Sequence, residues 1–379
     1  MLCLGLMSGT SADGVDAVLA EFKGSAQYPR WRLIRHHQTP YAMPLRHRII
    51  AAGQGQALTA LEWLNLAESI TEAQAEAALA CDPDGHASLI GCHGQTLWHR
   101  PPSELKRGAS WQSLQAPLLA QLLNRPVIHD FRAADLALGG QGAPLVPRAD
   151  AALVGGIAGW RALLNLGGIA NLTLIPPRCG PDRLQSVQGW DCGPANSLID
   201  LAVSRFTNGE QTFDRDGSMA AAGHCSEDWI LRWLAHPYLR AAPPKSTGRE
   251  LFGSSDLDQR LQDMKGMNPS DVVATLTAFT AAVIAQDLQH LGHRSGIRPL
   301  ELIVAGGGRH NPVLMWELQT RCRGLSVHCS DDIGLPAEAR EALVFALLAW
   351  WHQRHQPGNA PAVTGASRET TLGCVVMPG

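Results

Sequence analysis

The run of small residues at positions 8–14 (SGTSADG) has the composition of a turn that binds phosphate. Consecutive backbone N–H groups in such a turn form a concave site for anions. Asp13, or Asp16 just beyond the run, could also hold a hydrated Mg2+, because this ion keeps several waters and takes few protein ligands. A single aspartate in a tight turn is also a common turn former that bonds its own backbone, so both interpretations of Asp13 stay open.

A second turn of small residues, at positions 167–170 (GGIA), lies between apolar runs at 162–166 and 171–175. Short apolar runs on both sides of a turn predict a β-hairpin, and the first turn is flanked in the same way. Neither turn has the lysine that a Walker-type loop requires. The two turns therefore indicate either a duplicated lobe that offers backbone N–H groups to one ligand from two sides, or a chance similarity of two hairpins.

Three consecutive glycines, Gly306, Gly307 and Gly308, follow the apolar residues 300–305 and precede a helix predicted from Val313. Glycine has no Cβ, so a flat ring such as adenine can approach its backbone closely. The same pattern is also common as a plain turn after a strand. Residues 88–92, followed by HGQT at 93–96, are the predicted counterpart in the first half of the chain.

Asp191 stands in the segment GWDCGPAN at 189–196, just before a helix predicted at 197–203. A helix dipole stabilises a nearby carboxylate in its ionised form, and an ionised carboxylate can act as a general base. The alternative is an ordinary helix cap. Phosphoryl transfer needs backbone donors for the phosphates and a carboxylate that accepts a proton or places a metal, and the sequence offers both.

Asp130 and Arg132 follow the apolar pair Val127-Ile128, so both are expected at the end of a buried strand. There Arg132 would either bind a carboxylate or form a structural salt bridge. The indoles of Trp98 and Trp111 would either stack on a sugar face or pack in the core.

Two loops rich in glycine, proline and polar residues separate the regular segments. The segment GGQGAP at 139–144 predicts a hinge or a binding loop, and PPKSTGRE at 243–250 predicts an exposed polar loop. Elsewhere strand and helix signals alternate, which favours layered α/β structure. Helices are predicted at 58–79, at 338–351 and, as a buried core helix capped by Ser270 or Asp271, at 272–285.

Composition limits the class of protein further. A chain of 379 residues exceeds the size at which one core keeps growing, so two lobes are expected. The 31 Lys and Arg residues do not outnumber the 34 Asp and Glu residues, which argues against a nucleic-acid partner. The nine cysteines form no CxxC pair, which favours reduced thiols in the cytoplasm over a disulfide or zinc framework. The N-terminus predicts no secretory signal, and residues 272–285 are too few to span a bilayer.

Taken together, these segments resemble the anhydro-N-acetylmuramic acid kinases. The resemblance runs in order along nearly the whole chain, through residues 5–16 (GLMSGTSADGVD), 93–96 (HGQT), 129–132 (HDFR), 165–171 (NLGGIAN), 191–196 (DCGPAN), 244–250 (PKSTGRE), 306–308 (GGG), 341–342 (EA) and 345–346 (FA). One departure is Cys192, where the family usually carries threonine. It leaves the neighbouring carboxylate in place and puts only a hydroxyl contact in doubt.

The resemblance implies an α/β, two-lobe actin-like ATPase fold with ribonuclease H-like duplicated lobes and the nucleotide in the cleft between them. It implies an N-terminal lobe of residues 1–133, joined by residues 352–379, and a C-terminal lobe of residues 134–351. It also implies ATP and Mg2+ as cofactors, a small sugar as substrate, no membrane association and a homodimer.

The same resemblance implies a role for individual residues. Asp191 is the expected general base, and Asp13 is expected to help place Mg2+. The expected nucleotide contacts are Gly9, Thr10, Ser11, Ala12, Asp13, Gly14, Val15 and Asp16 in the first turn, Gly167, Gly168 and Asn171 in the second, and Gly306, Gly307 and Gly308 around the adenosine. The expected sugar contacts are Thr96, Asp130, Arg132 and Glu341.

The reaction that the resemblance implies couples two steps. Water attacks C1 of 1,6-anhydro-N-acetylmuramic acid, the internal acetal opens, and O6 takes the γ-phosphoryl group of ATP. One alternative is a conventional sugar kinase in which Asp191 deprotonates a substrate hydroxyl directly. Another is an actin- or chaperone-like ATPase whose nucleotide drives partner binding or polymerisation.

Overall fold

The computed structural model describes residues 1–103, 105–243, 245–248 and 250–379. The chain divides into two compact units. Unit 1 comprises Met1–Gly155 and Leu335–Gly379, and unit 2 comprises Gly156–Gly334.

The strands of the two units form two separate sheets. In chain order the strands are β1 (Leu2–Ser8), β2 (Gly14–Gly24), β3 (Pro29–Pro40), β4 (Leu89–Arg100), β5 (Ala109–Ser113), β6 (Val127–His129), β7 (Arg161–Leu166), β8 (Ile169–Ile175), β9 (Gln188–Pro194), β10 (Glu301–Ala305), β11 (Ser326–Cys329) and β12 (Cys374–Val376).

The helices connect and cover these strands. They are α1 (Met43–Gly53), α2 (Ala60–Cys81), α3 (Ala116–Leu123), α4 (Ala133–Ala137), α5 (Val146–Val154), α6 (Asn196–Phe206), α7 (Ser218–Ala221), α8 (Glu227–Trp233), α9 (Pro237–Arg240), α10 (Ser254–Asp263), α11 (Pro269–Ser295), α12 (Pro312–Arg321), α13 (Arg340–Gln353) and α14 (Pro361–Thr364), with short 3-10 turns at Pro181–Leu184, Arg215–Gly217, Gly307–His310 and Ser330–Ile333.

In unit 1 the strand order is β12-β6-β4-β1-β2-β3, with β5 paired to β4. The pair β1/β2 is the predicted antiparallel hairpin, and β1 runs parallel to β4, which runs parallel to β6. The carboxyl ends of parallel strands meet at one edge of a sheet, so the turns after β1 and β6 lie at the same edge.

Two glycines let α13 lie directly on this sheet. A Cβ on Gly5 of β1 would stand 1.9 Å from the carbonyl oxygen of Ala342, and a Cβ on Gly91 of β4 would stand 2.1 Å from that of Phe345. Because strands alternate their faces, Leu4 and Leu6 point the other way, into the core formed with α2. The close packing fixes the first turn of α13, which carries Glu341.

In unit 2 the strand order is β11-β10-β7-β8-β9. The pair β7/β8 is the second predicted hairpin, and β7, β10 and β11 are parallel. The core contains apolar residues of these strands together with α6 and α11. The predicted strand, triple-glycine turn and helix at 300–313 are present as β10, a 3-10 turn and α12.

The five strands of the unit 2 sheet match five of the seven strands in the unit 1 sheet, all but β5 and β12. In unit 1 the hairpin β1/β2 has the antiparallel strand β3 on one side and the strands β4 and β6, parallel to β1, on the other. In unit 2 the hairpin β7/β8 has the antiparallel strand β9 on one side and the strands β10 and β11, parallel to β7, on the other. This correspondence supports the duplicated-lobe interpretation over a chance similarity, and it pairs β4 with β10 as predicted. β4 differs in detail, because it continues through the HGQT segment instead of ending before it.

The division of the chain differs from the expected boundaries. Residues 134–155 and 335–351, which the sequence analysis assigned to the second lobe, group with unit 1. The reason is packing. Arg340 at the start of α13 forms a buried ion pair with Asp150 of α5, with Nε 2.9 Å from Oδ1 and NH2 2.8 Å from Oδ2. Because α13 lies on the sheet of unit 1 and the ion pair joins α5 to α13, both helices belong to unit 1.

The predicted core helix at 272–285 is the middle of the longer helix α11. Its N-cap is Asn268, whose side chain accepts from the backbone N–H of Asp271, so the expected caps Ser270 and Asp271 were wrong. Because α11 spans 27 residues, it is long and apolar enough to cross a membrane, but 89% of its most apolar window is buried inside the protein. A core helix of a folded unit meets the same criterion.

Candidate active site

Asp191 lies on β9, opposite Asn171 of β8. The β8/β9 register shifts at this point: Ala170 pairs with Gly193 and Asn171 with Asp191, so Cys192 is an extra residue in a β-bulge. Bulges turn a side chain out of its regular alternation and are common beside active sites. α6 starts at Asn196 with Ala195 as N-cap, so the helix-cap alternative for Asp191 does not hold.

Three neutral donors hold the Asp191 carboxylate. The side-chain amide of Asn171 donates to Oδ1 at 2.9 Å, while the hydroxyl of Ser246 and the backbone N–H of Thr247 donate to Oδ2 at 2.9 and 3.1 Å. An ionised carboxylate has about four acceptor positions, so these donors leave one for a further hydrogen atom, such as that of a water molecule. The carboxylate is therefore oriented and still able to accept a proton.

Cys192 is buried in the core of unit 2. Burial, with the nearby Asp287 carboxylate adding to it, raises the pKa of its thiol far above the usual range. The thiol is therefore neutral, and its position in the core separates it from the donors that hold the Asp191 carboxylate.

The second glycine turn joins β7 to β8 and presents its carbonyl groups to α6. The carbonyl of Gly168 accepts from the backbone N–H groups of Ala195 and Ser197 at 2.9 and 3.0 Å, and the side chain of Asn196 donates to Gly167 O at 2.8 Å. The N-terminus of α6 is thus fixed against the turn. The side chain of Asn171, also an expected nucleotide contact, donates to Asp191.

The triple-glycine turn lies at the same edge, next to the end of β7. A Cβ on Gly306 would stand 2.8 Å from Leu166 C and O, and one on Gly308 would stand 2.7 Å from Leu166 Cβ. Both positions therefore require glycine for packing between β10 and β7. Only a Cβ on Gly307 would meet open space, so only this residue offers the unobstructed backbone that was expected for an adenine ring.

In unit 2 the structure thus brings together Asp191, Asn171, the 167–168 turn and the 306–308 turn. They share an edge because β7 and β10 are parallel and end there, while the antiparallel β8 begins there and β9 returns to it. In doubly wound sheets ligands bind outside this edge.

In unit 1 the turn after β1 is held by neighbouring polar groups. Gln95 of β4 donates from Nε2 to Gly9 O at 3.0 Å and accepts from the Ser8 hydroxyl at 2.6 Å, and Ser8 is buried. Ala12 has a φ of 51° and donates its own N–H to Gly9 O at 3.1 Å, so this amide is already used within the turn. The side chains of Ala12 and Val15 are buried, which leaves only their main chain for a nucleotide.

The two aspartates of this region have different surroundings. The side chain of Asp13 is 62% exposed and its Oδ1 accepts from Arg46 at 2.6 Å. Asp16 lies within β2 and its Oδ1 is 3.1 Å from His36 Nε2. Within the described residues, no group of three or more His, Cys, Asp or Glu side chains is arranged to hold a metal ion.

Arg132 lies after β6 and is bound by neutral groups. Its guanidinium donates to Gly142 O at 2.7 Å and to His93 Nε2 at 2.9 Å. Burial, with the nearby Arg132 charge adding to it, lowers the pKa of His93 well below its usual value, so the ring is neutral. Its Nδ1 lies 2.9 Å from Gly94 O and donates there, while Nε2 accepts from Arg132.

Burial lowers the pKa of Arg132 to about 10, and the charge of Glu341 opposes this effect. Even so, the guanidinium stays protonated at neutral pH. The hydrogen-bond partners just described are uncharged, whereas the nearby Glu341 carboxylate is a partner by charge. The loop at 139–144 contacts this arginine through Gly142 O, and its role as a hinge or a binding loop stays a prediction.

Thr96 lines a cavity of about 330 Å³ in unit 1 together with Thr10 and Trp98. Trp98 is 56% exposed and Trp111, its partner across β4 and β5, is 46% exposed, so neither is a core residue. Asp130 follows β6 with a φ of 54°, and its carbonyl accepts from Ala133 N. The structure therefore places Thr10 and Thr96 in one cavity, and Asp130 and Arg132 in the segment after β6.

Sequence analysis missed the donors that the 243–250 loop supplies, Ser246 and Thr247, because it predicted an exposed polar loop. Pro244 and Arg249 of this segment lie outside the described residues. The side chain of Lys245 is only 4% exposed. The local sequence does not show that Lys245 is buried, because its partner Asp287 lies 42 residues further along the chain.

The matched sheets and the two lysine-free glycine turns place the chain among proteins with the two-lobe, actin-like ATPase fold. The family model for anhydro-N-acetylmuramic acid kinase matches residues 1–378. Proteins named anhydro-N-acetylmuramic acid kinase from Synechococcus sp. strain CC9902 and Prochlorococcus marinus strain MIT 9303 are 70% and 66% identical, and each alignment covers 100% of both chains. The chain belongs to the anhydro-N-acetylmuramic acid kinase family.

Solved structures resemble it only distantly. A ROK hexokinase from Thermus thermophilus matches with 14% identity and a TM-score of 0.32, over 89% of this chain and 97% of that one. Component A of (R)-2-hydroxyglutaryl-CoA dehydratase from Acidaminococcus fermentans matches with 13% identity and a TM-score of 0.42, over 92% and 98%.

Proposed function

We propose that this chain opens 1,6-anhydro-N-acetylmuramic acid with water and phosphorylates it with ATP, in the recycling of cell-wall material. Water forms a bond to C1, the C1–O6 bond breaks with its electron pair going to O6, and O6 takes the γ-phosphoryl group. The products are N-acetylmuramic acid 6-phosphate and ADP. The observation that carries the proposal is the Asp191 carboxylate, oriented by three neutral donors with an acceptor position left for water.

Asp191 acts as the general base. It takes a proton from the attacking water as the C1–O bond forms, which contributes about 10² to 10⁴ in rate for groups of this kind. Opening the acetal drives O6 toward an alkoxide, and phosphoryl transfer consumes that charge as it develops. The base therefore acts on water and not on a sugar hydroxyl.

ATP is bound mainly through main-chain groups. The proposed contacts are the turn at residues 9–16 and the turn at residues 167–171, and Gly307 leaves its backbone open to the adenosine. Mg2+, when bound with ATP, neutralises charge on the phosphates. Asp13 fits such an ion because its carboxylate is mostly exposed and Mg2+ takes few protein ligands.

The sugar is bound by residues of unit 1. Arg132, whose hydrogen-bond partners Gly142 and His93 are neutral and whose charge is stabilised by Glu341, binds the carboxylate of the lactyl group. Thr96 contributes a hydroxyl in the cavity beside Trp98, whose exposed indole suits a sugar face. Asp130 and Glu341 complete the set.

Incubation with ATP, Mg2+ and the anhydro-sugar in 18O-labelled water tests the reaction. Addition of both water and phosphate, with label at the anomeric oxygen, is the expected product by mass spectrometry. A phosphorylated product without label would instead assign the chain to the conventional sugar kinases. ATP turnover without any sugar, together with filaments that depend on protein concentration, would assign it to the actin-like ATPases.

The protein is further proposed to work as a homodimer in the cytoplasm. All nine cysteines are free thiols, which suits a reducing compartment. Light scattering coupled to size-exclusion chromatography measures the mass, and a monomer at micromolar concentration would overturn the dimer.

A further inference from the structure

A buried ion pair lies behind Asp191. Lys245 Nζ is 2.9 Å from Asp287 Oδ1, and the two side chains are 4% and 5% exposed. Asp287 belongs to the core helix α11, and its second oxygen accepts from the indole N–H of Trp190 at 3.0 Å. Trp190 precedes Asp191 on β9, so the pair joins α11, β9 and the loop that contains Lys245.

Lys245 connects this buried pair to both ends of the Asp191 residue. Its carbonyl accepts from the backbone N–H of Asp191 at 3.1 Å, and its two successors, Ser246 and Thr247, donate to Asp191 Oδ2. The ammonium also lies 5.1 Å from the ring centroid of Tyr238, whose hydroxyl donates to Asp191 O at 2.7 Å. The bonds that the Lys245 carbonyl, Ser246 and Thr247 make with Asp191 depend on where the main chain at residue 245 is held.

Besides its bonds with Asp191, the loop is held at Gly248, whose carbonyl accepts from the backbone N–H groups of Leu251 and Phe252 at 3.2 and 3.0 Å. Residues 245–248 are in neither a helix nor a strand. In a segment without a backbone ladder, a buried and paired side chain is the main restraint on position. A charge that has been removed from water has a strong preference for its partner, which makes the Lys245 side chain a specific anchor.

We propose that the Lys245–Asp287 ion pair is a positioning device for the catalytic base, a role that rests on the proposed function of Asp191. The pair fixes the loop against α11, and the loop then holds the Asp191 carboxylate in the orientation that accepts a proton from water. Lys245 and Asp287 are positioning residues, because they act through Asp191 and not on the reacting atoms. A displacement of about 1 Å in such a group costs about a hundredfold in rate.

A neutral double variant, Lys245→Met with Asp287→Asn, separates positioning from stability. A single substitution leaves one buried charge without its partner and endangers folding, whereas the double variant removes both charges. Asparagine also keeps an oxygen to accept from the indole of Trp190. We expect a melting temperature close to that of the parent and a kcat lower by about 10- to 100-fold, with the KM for ATP changed less than threefold.

The matched control is the ion pair between Arg161 and Glu301 in the same unit. It joins β7 and β10 at the edge opposite to Asp191, with NH2 2.6 Å from Oε2. The variant Arg161→Met with Glu301→Gln should retain the kcat of the parent. If the Lys245→Met, Asp287→Asn variant has both the melting temperature and the kcat of the parent, the proposal is overturned.

The background of Asp191→Asn provides the second measurement. If the pair acts through Asp191, adding Lys245→Met and Asp287→Asn to Asp191→Asn should lower the residual kcat by less than threefold. A further loss as large as in the parent background would mean that the pair acts independently of Asp191. If Asp191→Asn alone has the activity of the parent, Asp191 is not the general base. Failure of the proposed function can therefore be distinguished from failure of the positioning role.

Discussion

Replacing Asp191 by asparagine removes a proton acceptor and changes little else. In the protein, Oδ2 accepts from Ser246 and Thr247 and Oδ1 accepts from Asn171. An asparagine can keep its oxygen toward the first two donors and turn its NH2 toward Asn171, whose own side-chain amide then flips to present its oxygen. All hydrogen bonds are retained, so we expect the free energy of unfolding to stay within about 1 kcal/mol of the parent.

The catalytic effect should be much larger. Loss of a general base costs about 10² to 10⁴ in rate, which corresponds to about 2.7 to 5.4 kcal/mol at about 1.36 kcal/mol for each factor of ten. We expect kcat to fall by at least about a hundredfold while the dissociation constant for ATP, measured by calorimetry, stays within about threefold. Steady-state kinetics with product detection by mass spectrometry is the assay. A kcat within tenfold of the parent, in a folded variant that binds ATP, would refute the assignment of Asp191.

Three further predictions follow from contacts elsewhere in the chain. Gly306→Ala should lower the melting temperature, because the new Cβ would stand 2.8 Å from Leu166 C at a φ of +82°. Gly307→Ala, whose Cβ would meet open space, should leave the melting temperature unchanged and raise only the KM for ATP. Equal melting temperatures for the two variants would contradict this prediction. Arg132→Lys should raise the KM for the anhydro-sugar about tenfold or more without changing the KM for ATP, because lysine cannot reproduce the planar fork of the guanidinium. An unchanged KM for the sugar would rule out the carboxylate contact. The pKa of His93 is lowered well below 6.5 in the folded state, so the stability that depends on its neutral form is complete above pH 6.5 and is lost as the pH falls below that value. His93→Gln should therefore make the free energy of unfolding, measured with urea, depend less on pH below 6.5. Identical slopes for the variant and the parent would count against a neutral buried imidazole.

The hairpins and the strand–glycine–helix segment were predictable because their signals are local. Alternating and continuous apolar runs give the strands, and small residues give the turns, so β1/β2, β7/β8 and β10 with α12 are present where the sequence placed them. The order of the strands in each sheet then brings the predicted turns to one edge. The identity of the expected ligand, ATP, came from the resemblance of these turns to the family's motifs, because residue pattern and spacing alone left it open.

Packing over long sequence separations was not predictable. The domain boundaries shifted because Arg340 pairs with Asp150, 190 residues away, and thereby attaches α5 to α13. The 243–250 loop was expected to be exposed because its composition is polar, yet Lys245 is buried against Asp287, 42 residues further along the chain. In both cases the burial of a charge depends on a partner that a sequence window does not contain.

The sequence by itself determined the family, the two glycine turns and the carboxylate at position 191. The tertiary structure alone decided which groups hold that carboxylate, that Gly306 and Gly308 are glycines for packing on Leu166, and that Arg132 donates to a neutral His93. The physical reason is range: turn and strand propensities depend on neighbouring residues, whereas hydrogen bonds and desolvation depend on whichever atoms the fold brings within a few ångströms.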